Sequence, residues 1–77
     1  MSVRVKLFAS LAEAMGWRDK AIAHRAAMRV GDAWDVAAGG AALPPRVLCA
    51  RNQEYCRLDT PIADGDEIAF FPPVTGG

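Results

Sequence analysis

Two proline pairs, Pro44-Pro45 and Pro72-Pro73, restrict this chain more than any other feature. A proline has no backbone N–H to give and disfavours helix in the residue before it, so neither a helix nor a paired strand continues through either pair. The first pair keeps a new helix from starting after Gly39-Gly40. The second holds the backbone extended beyond the aromatic run Phe70-Phe71 and releases it in a defined direction.

Periodicity assigns the remaining segments. Val3, Val5 and Leu7 alternate with Arg4 and Lys6, which predicts an opening strand with one buried face, ending near Phe8. Ser10 is placed to cap a short helix carrying Leu11, Ala14 and Met15, with Glu13 in the third position of a capping box and Gly16 as its stop. Lys20 to Ala27 alternates weakly around Ile22 and reads as a strand pairing with the first. Asp32 is a plausible cap for a helix over Ala33 to Ala38, and Gly39-Gly40 ends it. Trp34, at helical spacing with Val30 and Ala37, belongs to the core, while Trp17 beside Arg18 and Asp19 is a partly exposed packing residue.

In the second half, Val47 to Ala50 reads as a central strand buried on both faces. Asn52-Gln53 makes a turn, Tyr55 to Leu58 a further short strand, and Asp64-Gly65 a turn into the strand Ile68 to Phe71. Strand, helix, strand, helix and three strands describe an α+β domain, a mixed sheet with helices packed on one face.

At 77 residues this is one domain, 1–77, with 72–77 as an extended C-terminal arm, and it is small for a self-sufficient enzyme. Nine basic and nine acidic residues cancel without any run of like charge, which removes the electrostatic footprint of nucleic-acid binding. No apolar stretch approaches the length of a membrane helix, and the alternating start does not read as a signal peptide, so the expected location is cytoplasmic. Cys49 and Cys56 lie in strand-like runs and read as packing residues. With His24 as the only histidine, expected to be solvated, no metal site is expected.

The C-terminal segment has no packing explanation. From Val74 onward, Val74, Thr75, Gly76 and Gly77 reach roughly 13 Å when extended, enough to enter another protein's pocket. Gly76 and Gly77 have no side chain and pass where other residues do not.

Leu7-Phe8-Ala9, Leu11-Ala12-Glu13, Asn52-Gln53-Glu54-Tyr55 and the run from Asp64 through Phe70-Phe71-Pro72-Pro73-Val74-Thr75-Gly76-Gly77 resemble the MoaD-type sulfur carriers of the MoaD/ThiS family, the small subunits of molybdopterin synthase. The Phe-Phe-Pro-Pro stretch favours this type over the thiamine-pathway carriers. The resemblance implies a ubiquitin-like β-grasp fold and chemistry at the Gly77 carboxylate. An adenylating, E1-like enzyme using ATP would activate that carboxylate, and a persulfide sulfurtransferase would convert it to a thiocarboxylate. The large synthase subunit, joined in a heterotetramer, would then use two such sulfurs to turn cyclic pyranopterin monophosphate into a dithiolene, with no cofactor bound by the carrier itself. It also implies a partner-binding surface of Phe71, Phe8, Tyr55, Pro72, Pro73, Val74 and Thr75, with Phe71 as aromatic anchor and Gly76 beside the reactive Gly77. Ala12 stands where the better-known pattern has an arginine, so a polar partner contact is lost or replaced there. A sulfur carrier for thiamine thiazole or tRNA thiolation, or a ubiquitin-like protein modifier joined through Gly77, is the alternative.

Overall fold

The computed structural model describes residues 1–73. Five strands, β1 (Ser2–Leu7), β2 (Asp19–Ala23), β3 (Leu48–Arg51), β4 (Glu54–Tyr55) and β5 (Glu67–Phe71), form one sheet in the order β2-β1-β5-β3-β4. The helices α1 (Ala9–Met15) and α2 (Val30–Ala37) complete the fold. β1 and β5 are parallel, with Val5 opposite Ile68 and Leu7 opposite Phe70, and the other pairings are antiparallel.

The alternation of the opening strand becomes the two faces of this sheet. Val3, Val5 and Leu7 line up with Ile22, Ile68, Phe70 and Cys49 on the inner face, where all are buried. Leu11 of α1, and Val30, Ala33, Trp34 and Ala37 of α2, cover them together with Met28 and Ile62. Trp34 meets Phe70 edge to face, ring centroids 5.1 Å apart at 72°, and its indole N–H donates to the Ala41 carbonyl at 2.8 Å. Trp17 is half-buried beneath the Lys20 ammonium, which lies 4.5 Å from its ring centroid. Both tryptophans are therefore placed as their sequence contexts suggested.

Several boundaries differ from those read in the sequence. α1 starts at Ala9, with Phe8 as an extended N-cap and no side-chain cap, so Ser10 lies inside the helix and forms no capping box. The Phe8 N–H is already held by the Phe70 carbonyl at 3.2 Å, and the chain must turn at Ala9, whose φ is 54°. Gly16 ends the helix in the left-handed region, as expected. β2 stops at Ala23 rather than Ala27 because Ala23 already pairs with Ser2, the first residue of β1. His24 follows, half-buried rather than solvated, with its imidazole Nε2 3.1 Å from the Ile62 carbonyl oxygen.

α2 begins at Val30, and Asp32 sits within its first turn, accepting the Arg29 N–H at 2.9 Å, instead of capping it. Two of the helix's orphan N–H groups, on Val30 and Gly31, donate to the carbonyls of Thr60 and Leu58 at 3.0 and 2.8 Å. The same two bonds explain why the expected strand Tyr55 to Leu58 shrinks to Glu54–Tyr55: the carbonyls that follow serve α2, not a sheet. Gly31 fits this close approach, since an added Cβ would lie 3.4 Å from the Leu58 oxygen. β3, expected to be buried on both faces, buries Cys49 inward but leaves Leu48 37% exposed on the other face.

Asp66 ties the β3–β4 hairpin to the turn that leads into β5. The Ala63–Asp66 turn, with Gly65 at φ 87°, brings the Asp66 carboxylate to the Ala63 N–H at 2.8 Å, the Asn52 side-chain amide at 3.0 Å and the Arg51 guanidinium at 3.4 Å. Asn52 and Gln53 both have positive φ, as a tight hairpin turn requires, and the Asn52 side-chain oxygen accepts the Glu67 N–H at 2.9 Å. Burial alone would raise the Asp66 pKa, but the hydrogen bonds from Asn52 and Ala63 and the Arg51 charge outweigh it and hold the carboxyl below its ordinary 3.8.

Asp66→Ala leaves the Ala63 and Asn52 donors without their acceptor, at a cost of about 1–3 kcal/mol. A melting temperature lower by roughly 4–20 °C is expected by circular dichroism at neutral pH. Because the folded-state pKa is depressed, the carboxylate's contribution is complete above the ordinary carboxylate range and disappears as pH falls through the lowered value. The gap between wild type and Asp66→Ala should therefore shrink below about pH 4; a gap independent of pH would show that the charge contributes nothing.

Candidate functional site

The site is built at the end of β5. This strand lies between β1 and β3, so its exit is held on both sides: Leu7 is opposite Phe70, and Leu48 is opposite Phe71. Successive side chains on a strand point to opposite faces, and the adjacent phenylalanines follow that rule. Phe70 is fully buried against Trp34, whereas Phe71 lies on the outer face, only partly covered. Pro72 then ends the ladder.

The outer face carries an apolar patch at this exit. Tyr55, 74% exposed, stands 5.9 Å from Phe71 by ring centroids, and register places Leu48 opposite Phe71, with Ala69 opposite Ala50 and Ala50 opposite Tyr55. Phe8 continues the alternation of Arg4 and Lys6 with an extended backbone and is 48% exposed. Farther along the same face, Lys6 pairs with Glu67 at 3.5 Å and Arg4 with Asp19 at 3.7 Å. These ion pairs are partly or largely exposed, so they frame the apolar patch more than they stabilise the sheet.

A second apolar surface flanks the same exit. Pro72 and Pro73 meet Pro44, Pro45 and Val47 across a groove of about 250 Å³ whose other wall is α1, through Leu11 and Ala14. The two proline pairs that partition the sequence thus come together in space. Nothing in the sequence periodicity announces this, since Ala37 to Pro45 has no strand or helix pattern.

Phe71, Phe8 and Tyr55 are thereby brought to one face, with Pro72 and Pro73 at its edge. Val74, Thr75, Gly76 and Gly77 lie outside the described residues. Leu48 is a member of the patch that the sequence reading missed. Its outward orientation follows from the register with Phe71, which alternation along β3 alone does not supply. Ala12 is buried on the core side of α1, so that position offers no surface for a polar partner contact. Among the described residues no cluster of three or more His, Cys, Asp or Glu could hold a metal ion. None of the described helices is long and apolar enough to cross a membrane.

Comparison with known proteins agrees with this geometry. The ThiS family model matches residues 5–77. The molybdopterin synthase sulfur carrier subunit of Escherichia coli is 59% identical over 32 residues, a match covering 42% of this chain and only 40% of that protein. Small archaeal modifier protein 1 of Haloferax volcanii is 40% identical over an alignment of 84 positions, covering 94% of this chain and 97% of the relative. Its crystal structure superposes with a TM-score of 0.83 at 36% identity over the whole of both chains. A chain of the Helicobacter pylori complex of subunits 1 and 2 of molybdopterin-converting factor covers both chains fully at a TM-score of 0.68 and 26% identity. With the mixed sheet, the two helices on one face and the match over residues 5–77 in common, the chain belongs to the ThiS/MoaD family and has its ubiquitin-like β-grasp fold.

Proposed function

We propose that this chain is a sulfur carrier that serves as the small subunit of molybdopterin synthase. The observation that carries the reading is the exit of β5: a centrally paired strand delivers Phe71 to an outward aromatic patch and, through Pro72-Pro73, leads into Val74-Thr75-Gly76-Gly77. A partner seated on Phe71, Tyr55, Leu48 and Phe8 would find the arm starting at the border of its own interface. The complex of the Helicobacter pylori converting-factor subunits supports a second subunit as that partner.

The chemistry assigned to Gly77 follows from what a carboxylate lacks. Its negative charge repels nucleophiles and it has no good leaving group, so it needs activation before sulfur can enter. An ATP-dependent, E1-like enzyme would form the acyl adenylate, with pyrophosphate released and AMP as the new leaving group. The terminal sulfur of a persulfide donor then displaces AMP to give an acyl disulfide, and a second thiol attacks the donor cysteine's sulfur, forming a new disulfide with it and releasing the thiocarboxylate. That sulfur is an anionic nucleophile on a tethered arm, and tethering supplies a high effective concentration at the large subunit's pocket. Gly76 keeps the approach narrow, and the acid and base groups for making the dithiolene of molybdopterin from cyclic pyranopterin monophosphate come from the large subunit.

A second reading has its own support. The 40% identity with small archaeal modifier protein 1 over 94% of this chain favours a ubiquitin-like modifier joined to lysines through the same adenylated Gly77. Incubation with an activating enzyme, ATP and a persulfide donor separates the two. The carrier reading expects the C-terminal glycine to gain the mass difference between sulfur and oxygen, and the modifier reading expects isopeptide conjugates on target lysines. Conjugates without any thiocarboxylate would sink the carrier assignment.

Deleting Gly77, or adding one residue after it, should abolish sulfur transfer in a reconstituted synthase assay and leave the melting temperature unchanged, because only the depth of the carboxylate in the partner's pocket is altered. Full activity in the extended variant would refute the arm. Phe71→Ala is expected to weaken binding to the large subunit by about 2 kcal/mol, roughly 30-fold in Kd. Tyr55→Ala, at a largely exposed position, should weaken it with almost no change in melting temperature. Unchanged affinity in both variants, measured by calorimetry, would move the interface elsewhere.

A further inference from the structure

Cys49 and Cys56 have no part in the site at the end of β5. Cys49 faces inward from β3, and the β3–β4 register, Ala50 opposite Tyr55 and Arg51 opposite Glu54, continues to place Cys56 directly across from it. The Cys56 N–H donates to the Cys49 carbonyl at 3.1 Å, the Cys49 thiol donates to the Cys56 carbonyl at 3.3 Å, and the two sulfurs are 3.4 Å apart. Residues directly opposite in an antiparallel pair have Cα atoms about 4.5–5.5 Å apart, within the range that a disulfide spans. The sulfurs are about 1.4 Å farther apart than a bonded distance of about 2.0 Å, a gap small enough for a change of side-chain torsion at this Cα spacing.

We propose that Cys49 and Cys56 form an oxidisable thiol pair, a modification site at which a small peroxide closes an intramolecular disulfide and a thiol reductant reopens it. The two sulfurs are not equivalent. Cys49 is buried, only 6% exposed, whereas Cys56 is half-buried and lines a surface cavity of about 240 Å³ with Arg51, Glu54, Tyr55 and Thr60. A peroxide therefore meets Cys56 first. The Cys56 thiolate attacks one peroxide oxygen: an S–O bond forms, the O–O bond breaks, the departing hydroxide takes a proton to become water, and Cys56 is oxidised to a sulfenic acid. The Cys49 sulfur then attacks Cys56. An S–S bond forms, the S–O bond breaks, and the Cys49 proton leaves with hydroxide as a second water.

Burial, with Cys56 beside it, pushes the Cys49 thiol up to about 12, so it stays protonated and reacts only with an electrophilic sulfur held against it. The disulfide closes the short loop from Cys49 to Cys56 and fastens β4, a two-residue edge strand that carries Tyr55. Since both thiols lie on the inner side of the hairpin, oxidation stiffens the base of the outer patch without covering it. Neither step depends on the reaction assigned to Gly77.

The test treats the full chain with a small excess of hydrogen peroxide, followed by alkylation, intact mass measurement and trypsin digestion. Expected are a monomer lighter by two hydrogen atoms, with no alkylatable thiol until dithiothreitol is added, and a cross-linked pair of the peptides Val47–Arg51 and Asn52–Arg57. The melting temperature of the oxidised form should rise by roughly 5–15 °C. Cys56→Ser should leave Cys49 reduced under the same treatment, and Cys49→Ala should let Cys56 proceed to sulfinic acid or an intermolecular disulfide. Wild-type protein that gives dimers, sulfinic acid on Cys56 with Cys49 still free, or two unreacted thiols would overturn the proposal.

Discussion

The parallel pairing of β1 with β5 is the contact on which the rest of the molecule depends. It joins the two ends of the sequence, placing Val5 against Ile68 and Leu7 against Phe70, with β2 added beside β1 and β3 and β4 beside β5. Parallel strands cannot be joined by a tight turn, so the chain between them has to leave the sheet and cross one of its faces before β5 can pair with β1. α1 and α2 cover that face, while β2, β3 and β4 return to the sheet, and the inner phenylalanine of β5 packs against Trp34 of α2 in the core that both helices close. The outer phenylalanine follows automatically: once Phe70 is fixed inward, Phe71 has only the opposite face. One backbone register therefore assigns one aromatic to the core and its neighbour to the outer surface.

Much of this was legible where a pattern is local. The alternation of Val3, Val5 and Leu7, the stop at Gly16, the turns at Asn52-Gln53 and Asp64-Gly65 and the burial of Trp34 depend on neighbours within a few residues. The errors lie where long-range hydrogen bonds decide. Ser10 is a good cap by composition, but the Phe8 N–H is taken by Phe70, sixty-two positions away in the chain, and the helix starts early. Tyr55 to Leu58 has strand composition, but Leu58 and Thr60 give their carbonyls to the first turn of α2. For the candidate site, the outward face of Phe71 was readable from parity along β5, whereas Leu48 entered only through its register with Phe71, and the meeting of the two proline pairs had no sequence signal.

The polar and apolar cross-links are distributed unevenly along β5. Just before its first residue, Glu67, the Asp66 carboxylate, Asn52, Arg51 and the Gly65 turn tie the β3–β4 hairpin to the start of β5 through directional bonds. Its other end is held by backbone pairing and by contacts of Phe70, with proline surfaces around the exit. Directional bonds fix register, since a one-residue slip of β5 would exchange Phe70 and Phe71 between core and surface. Apolar contacts are less demanding about geometry, and the groove at the exit is lined mainly by proline and aliphatic side chains.

The register argument also explains why a chain with so small a core can present a defined surface. Domains of this length bury only about 60% of the surface exposed on unfolding, so general burial leaves little margin for positioning. Here the positioning comes from the satisfied carboxylate at one end of a single strand. Asp66 anchors the start of β5, the five-residue strand transmits that register as a rigid ladder, and Phe71 appears at the far end on the outer face. Disturbing the anchor would then shift the placement of a patch with which it shares no direct contact, because both are set by the position of one strand between its two neighbours.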